Sequence, residues 1–391
     1  MDRTIDAVGS AGQALRWTEF LAGDVGPRRP TSRAERTAAE WLRAQLAWAG
    51  LDARLESFPA YATFAHPQAG PPLIALAGDA ARGAGWRRVG TALCGAALAL
   101  ALAEDDVRLR PLSRLLARRR SQNLVASIPP RGVAKRTLCL VSHLDSSRSG
   151  VIFDPRVAAR LRSLLAITGG ALAAEAVAPV LERGRSGRLA VRAARAWLVL
   201  ALMLLAEREL RGSDVPGAND NASGAAVTAS IAAAIAAGPL ESTRLVLLVT
   251  GAEEAGTLGA EAFLRARETG EWLFLNFDGV AAPATLRYLP REGLVRTFAA
   301  DERLLGVAGD LAGRRPDLGL EPARHLVGLT YDATPILALG GRALTISAQD
   351  DAIPNYHQPS DDTCGVAPDV LARALEVGRE LVAAVDRGEA D

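Results

Sequence analysis

Cysteine, lysine and histidine are scarce in this chain, and each scarcity excludes something. Only three cysteines occur among 391 residues, Cys94, Cys139 and Cys364, with no CxxC pair. Such a set writes neither a disulfide framework nor a thiolate zinc site, so any metal must be held by histidines and carboxylates. Lys135 is the sole lysine, and the 45 basic residues are balanced by 44 acidic ones to a formal net charge of +1. Phosphate binding needs clustered, uncompensated cations, so nucleic acid is not an expected partner. The first twenty residues, MDRTIDAVGSAGQALRWTEF, lack the basic-then-apolar run of a secretory signal, and the expectation is a cytoplasmic chain. What is plentiful, 49% hydrophobic with 23% charged residues, is a composition that folds rather than one of a disordered or fibrous chain.

Periodicity orders the chain. Residues 31–50 are expected to be a helix: Ser32 and Glu35 fit a capping box, Ala38, Trp41, Leu42, Leu46 and Ala49 share a face, and Gly50 can end it. Asp52 to Phe58 alternates like a strand. From Tyr61 to Arg120 the pattern loosens around the apolar stretch Val89 to Ala103, which defines a first insertion at 61–120. Apolar runs then recur at Asn123–Ile128, Thr137–Asp145, Thr243–Thr250, Trp272–Phe277 and Ala343–Ser347. Such runs are typical of strands covered on both faces. Helical segments alternate with them at Ser223–Ala237, Leu258–Glu268 and Val370–Asp386, and parallel strands need such crossovers. The fold class is α/β, a mixed, largely parallel central sheet flanked by helices, in one domain over 1–391.

Ligands of open α/β sheets collect beyond the carboxyl ends of the strands. The residues there are polar in a consistent way: His143-Leu144-Asp145, Asn219-Asp220-Asn221, Glu253-Glu254, Asp278 and Tyr356-His357. Taken singly, each has an ordinary structural reading. His143 could be a hydrogen-bonded core histidine, Asp220 a helix cap, the two glutamates a solvated loop, Asp278 a cap and His357 a loop residue. As a set they supply one histidine and two acids per site with one acid shared, which is what two zinc ions bridged by a carboxylate require. Adjacent glutamates suit such a centre, because one can bind metal while the other serves as general base. Asp145, two residues beyond His143 on the same strand face, is placed to orient its ring.

These motifs, HLD, GANDNASG, GAEEAGTLGA, NFDGV and YHQPSDD in this order, resemble the bridged dizinc aminopeptidases of peptidase family M28, relatives of glutaminyl cyclases. The segments GPRRPTSRAERTAAEWLRAQLAWAGL and QNLVASIPP are similar to the family as well, so the resemblance spans most of the chain outside the insertions. It implies a zinc-exopeptidase-like fold, peptide substrates and two zinc ions. Asp220 would bridge them, with His143 and Asp278 completing one site and Glu254 and His357 the other. Glu253 would be the general base and Asp145 the partner of His143. Tyr331, Asp332 and Tyr356 are weaker candidates for substrate contact, and His66 and His325 carry no motif. Two rivals stand beside the aminopeptidase: a glutaminyl cyclase-like acyltransferase, which works with one zinc, and a non-catalytic peptidase-like scaffold.

The sequence departs from the family in the separation of 77 positions from His143 to Asp220. A second apolar insertion, 151–212, fills them and reads as a helical hairpin. With both ends fixed by metal ligands, it is expected near the active-site face as a lid. Ser163 to Leu181 approaches the roughly 20 apolar residues of a membrane span but carries Glu175, while Val89–Ala103 and Ala196–Ala206 are short. Arginines at the hairpin tip and at its flanks give no orientation. Packing as a cap, self-association and association with a membrane surface are the expected uses.

Overall fold

The computed structural model describes residues 9–324 and 328–390, so His325 lies outside the described residues. Among the described residues ten strands form: β1 (Ala53–Ala60), β2 (Arg119–Ile128), β3 (Arg136–His143), β4 (Thr243–Thr250), β5 (Leu273–Phe277), β6 (Leu286–Tyr288), β7 (Arg291–Glu292), β8 (Phe298–Ala299), β9 (Leu320–Pro322) and β10 (Arg342–Ala348). Eight of them make one sheet in the order β1-β2-β4-β3-β5-β10-β6-β9. At its centre β4, β3, β5 and β10 run parallel, and β2 and β6 flank this block antiparallel. The expected mixed, mostly parallel α/β sheet is therefore what forms.

Side chains alternate across each central strand. Leu138 and Leu140 of β3 join a large core with the helices Ala11–Glu19, Gly224–Ala237 and Pro368–Asp386, whereas Cys139 and Val141 face the helices Leu258–Arg265 and Ala333–Ala338. Both faces are dry, which explains why these strands read as continuous apolar runs. Because β3, β4, β5 and β10 are parallel, the residues following all four emerge at one edge of the sheet.

The two insertions are not separate objects. The first forms helices Ala65–Gly83, Arg87–Glu104 and Pro111–Leu116, more order than its loosened pattern suggested. The second leaves and rejoins the domain side by side, with Arg148 bridged to Asp214 and the Ser149 N–H donating to the Ser213 carbonyl. Its main helices are Leu161–Ala176 and Arg185–Arg211. Ala75, Ala97, Ala171, Leu172, Ala194 and Leu198 form the shared interior of a four-helix unit drawn from both insertions. The apolar segment Ser163–Leu181 is interrupted at Val177, where a new short helix starts with Pro179 in its first turn. Among the described residues one helix, Arg185–Arg211, is long and apolar enough to cross a membrane. The shorter reading of that segment failed because the helix continues through the arginines before Ala196, which hydropathy excludes but helix propensity favours.

Candidate metal centre

Each candidate residue reaches the site by a traceable local route. His143 is the last residue of β3, and its Nδ1 is 3.0 Å from the Asp145 backbone carbonyl, while the Asp145 carboxylate is 3.7 Å away. Asp145 thus orients the ring through its main chain. Its carboxylate does something else, accepting the N–H groups of Glu253 at 3.1 Å and Glu254 at 3.0 Å. The next N–H upstream, that of Ala252, donates to Glu35 at 2.9 Å. Two buried carboxylates thereby hold three successive amides of the turn after β4, where Ala252 sits at φ +53°.

Glu35 was legible only as a helix cap. In the structure Ser32 does accept the Glu35 N–H, but the Glu35 side chain bonds the Thr31 N–H rather than that of Ser32, and also accepts the Ser121 hydroxyl. Burial pushes its carboxyl up to about 8. The signal in the sequence, a glutamate three residues after a capping serine, was genuine but pointed to only part of the role.

The loop before helix Gly224–Ala237 is tied to the end of β5. Asn221 donates to the Phe277 carbonyl at 2.9 Å, the Ala281 N–H donates to Asn219 at 2.9 Å, and the Val280 N–H donates to Ser223 at 3.0 Å. A Cβ on Gly224 would lie 2.2 Å from the Phe277 carbonyl oxygen, so only glycine permits this approach. The result sets Asp220 beside Asp278. Asp361 accepts the N–H groups of Asn219 at 2.7 Å and Asp220 at 3.0 Å, fixing the same loop from the opposite side. Arg28, fully buried, donates to the carbonyls of Leu21, Gly26, Leu144, Pro216 and Gly217 and so stitches the two loops together. Sequence reasoning assigned no role to Asp361 or Arg28; the first of the two acids that end YHQPSDD, and an arginine in an arginine-rich chain, offered no contrast.

The five donor residues converge. His143 Nε2 lies 3.1 Å from Asp220 Oδ1 and 3.5 Å from Asp278 Oδ2; His357 Nε2 lies 3.3 Å from Asp220 Oδ2 and 3.1 Å from Glu254 Oε2. The two oxygens of Asp220 thus face different histidines. Two groups result, His143 with Asp220 and Asp278, and Asp220 with Glu254 and His357, and within each the ligand atoms lie within 4.8 Å of one another. All five side chains are buried, and Glu254 Oε1 has no hydrogen-bond partner. Three carboxylates packed together with an orphaned oxygen can hold a cation, and the donor set of imidazole and carboxylate fits zinc.

The electrostatics agree. Burial opposes ionisation of Asp220, but the two histidines bonded to it more than reverse this and hold its carboxyl well below the usual range. Burial lowers the histidines, and the surrounding acids more than compensate, taking His357 up to about 9 through Glu254 and Asp220. Glu253 is pushed well above the usual carboxylate range, by burial first and then by Asp332, Glu254 and Asp278, with His143 opposing. Of the weaker candidates, Asp332 is buried and accepts the Thr250 hydroxyl at 2.5 Å, Tyr331 bonds Gln349, and Tyr356 stacks on the His357 ring at 3.8 Å. His66 lies apart from both ligand groups.

The second insertion does reach the site. Phe153 packs edge-on against the His357 ring at 4.2 Å, its carbonyl accepts the Gln358 amide at 2.6 Å, and Arg208 near the end of the long helix lies over Phe64 and Phe153.

A dry parallel sheet with two acid-histidine groups sharing one aspartate at its carboxyl edge is an arrangement able to hold metal ions where open α/β sheets bind their ligands. Residues 204–382 match the model of Peptidase family M28, in agreement with the resemblance stated from the motifs. No curated protein sequence matches the chain. The fold is similar to that of BSAP, a zinc aminopeptidase from Bacillus subtilis, at a TM-score of 0.58 and 14% identity over 97% of this chain and 96% of that one. An aminopeptidase from Aneurinibacillus sp. strain AM-1 is similar to the same degree, TM-score 0.58 at 14% identity, over 96% of this chain and 94% of its own. A glutaminyl cyclase from Porphyromonas gingivalis gives 0.52 at 14% identity, covering 96% and 99%.

Proposed function

We propose that this chain is a zinc-dependent exopeptidase acting as an aminopeptidase, removing N-terminal residues from peptides. The observation that carries the reading is the pair of ligand groups sharing Asp220. His143, Asp220 and Asp278 would hold one zinc ion, and Asp220, Glu254 and His357 a second. Ions held there supply a Lewis acid for the scissile carbonyl and a water acidified toward neutral pH. Glu253, adjacent to Glu254 but outside the five donors, takes the proton of the attacking water and returns it to the leaving amine. Asp145 and Glu35 keep the Glu253–Glu254 turn in place for this transfer, and Asp361 keeps Asp220 facing both histidines. Phe153 and Tyr356 exclude water from one side of His357.

The similarity to two aminopeptidases favours the amino end of the substrate, and the doubled ligand set speaks against a one-zinc cyclase. The test is hydrolysis of free and N-blocked aminoacyl and dipeptide substrates by the zinc-loaded protein, with and without chelator. Chelator-sensitive release from free-amine substrates alone is expected. Glu253→Gln should lose at least about a hundredfold in turnover while keeping its metal, consistent with the size of general-base catalysis. Full activity in that variant overturns the mechanism, and one metal per chain with cyclisation of N-terminal glutamine overturns the reaction class.

A further inference from the structure

The four-helix unit built from the two insertions has its residue sizes distributed in an unusual way. Its interior is mostly alanine, whereas Leu102, Ile167, Val199, Leu200 and Met203 lie on its outside, Leu102 at 67% and Met203 at 62% exposure. Helices Ala65–Gly83 and Arg87–Glu104 meet at Gly78 and Gly90 so closely that a Cβ on Gly90 would stand 2.2 Å from the Gly78 carbonyl oxygen. Water drives large apolar side chains inward, whereas lipid leaves them outside and selects small residues where helices touch.

The charges follow the same logic. Glu175 is fully buried inside the unit, bonded to Arg82 and, at 3.1 Å, to Arg195, which also reaches Asp79 at 2.6 Å and Glu182 at 2.9 Å. Ionisable residues within membranes face the bundle interior and pair with one another. The long helix Arg185–Arg211 measures about 40 Å at 1.5 Å per residue, against a hydrocarbon thickness of about 30 Å, and only 17% of its most apolar stretch is buried.

The chain enters and leaves both insertions at the catalytic domain, so the turns near Trp86 and Gly184 form the distal end of the unit. That end carries exposed Arg87, Arg88, Arg183, Arg185, Arg188 and Arg192 beside the exposed Trp86. Arginine and tryptophan at the edge of an apolar belt match an anionic headgroup layer.

We propose that this unit inserts into a phospholipid bilayer, burying its apolar belt in the hydrocarbon and setting the distal arginines among anionic headgroups, so that the metal centre is held at a membrane. The inference stands on observations separate from the catalytic reading. It is tested with the full chain and vesicles of phosphatidylcholine containing a minority of phosphatidylglycerol. The protein is expected to resist carbonate extraction from cell membranes and to float with the vesicles. A variant carrying Leu102→Glu, Leu200→Asn and Met203→Glu should bind vesicles at least about a hundredfold more weakly, each lost apolar side chain being worth roughly tenfold. These residues are exposed, so its circular dichroism and metal content should match the parent. Arg185→Glu with Arg188→Glu should remove the preference for phosphatidylglycerol over phosphatidylcholine alone. The proposal is overturned if the parent stays soluble without detergent and does not float, if the belt variant floats equally well, or if detergent-free protein buries this surface in a dimer with no affinity for vesicles.

Discussion

Replacing Asp361 with asparagine would test how the shared ligand is positioned. The carboxylate accepts two backbone N–H groups, from Asn219 at 2.7 Å and Asp220 at 3.0 Å, inside a buried loop. Asparagine has one acceptor oxygen, so its amide faces the second N–H and leaves it unsatisfied, at a cost of about 1–3 kcal/mol. The bond that survives loses its charge assistance, roughly 1 kcal/mol more. Some of this returns, because burial and the charge of Asp220 already push Asp361 up to about 7 and the substitution relieves both. A net loss of about 1–3 kcal/mol falls on the loop that carries Asp220. Groups that orient metal ligands typically control affinity by about 10–100-fold, and zinc affinity should weaken within that range. Competition with a chromophoric chelator at pH 8 measures it, alongside the melting temperature. Zinc affinity equal to that of the parent would refute the claim that Asp361 positions the shared aspartate.

Three further outcomes are expected. Glu292 is buried between the hydroxyls of Thr334 and Thr345, each at 2.6 Å, and burial raises it from 4.5 to about 7. The folded state therefore holds this proton more tightly than the unfolded chain. Its contribution is complete below about pH 4.5 and is lost by about pH 7, roughly 3 kcal/mol in all, and urea midpoints of Glu292→Gln should lack that part of the decline. Arg28→Met strips donors from five carbonyls that surround a fully buried guanidinium, and at about 1 kcal/mol or more for each the variant should fail to accumulate as folded protein, read by its circular dichroism and soluble yield. Chelation should lower the melting temperature and zinc restore it, since a ligand a thousandfold above its dissociation constant stabilises by about 4 kcal/mol; an unchanged transition would show that the ligand groups hold no structural cation.

Much of the central sheet and its ligand-bearing edge was legible in the sequence. Covered parallel strands announce themselves as apolar runs because both faces are dry, as at Thr243–Thr250, and the polar residues that end them must gather at one sheet edge. His143, Asp220, Glu254, Asp278 and His357 could therefore be named from position and residue type. The supporting contacts could not. Glu35 to Ala252 spans 217 positions, Arg28 to Gly217 spans 189, and Asp361 to Asp220 spans 141, and nothing local marks which acid or arginine is buried. Even Asp145 divides its contacts between a carbonyl on His143 and a carboxylate on the Glu253–Glu254 turn, a distinction that needs the loop in three dimensions.

The insertions show the boundary most clearly. Sequence determined that segments 61–120 and 151–212 are apolar and interrupt the α/β pattern, because periodicity is a local property of the chain. That helices from both segments share one alanine-lined interior, that Glu175 is neutralised by Arg82 and Arg195, and that the large apolar side chains are left outside, is decided by packing between pieces far apart in sequence. Which face of a helix is covered depends on its neighbours, and only the tertiary structure supplies them.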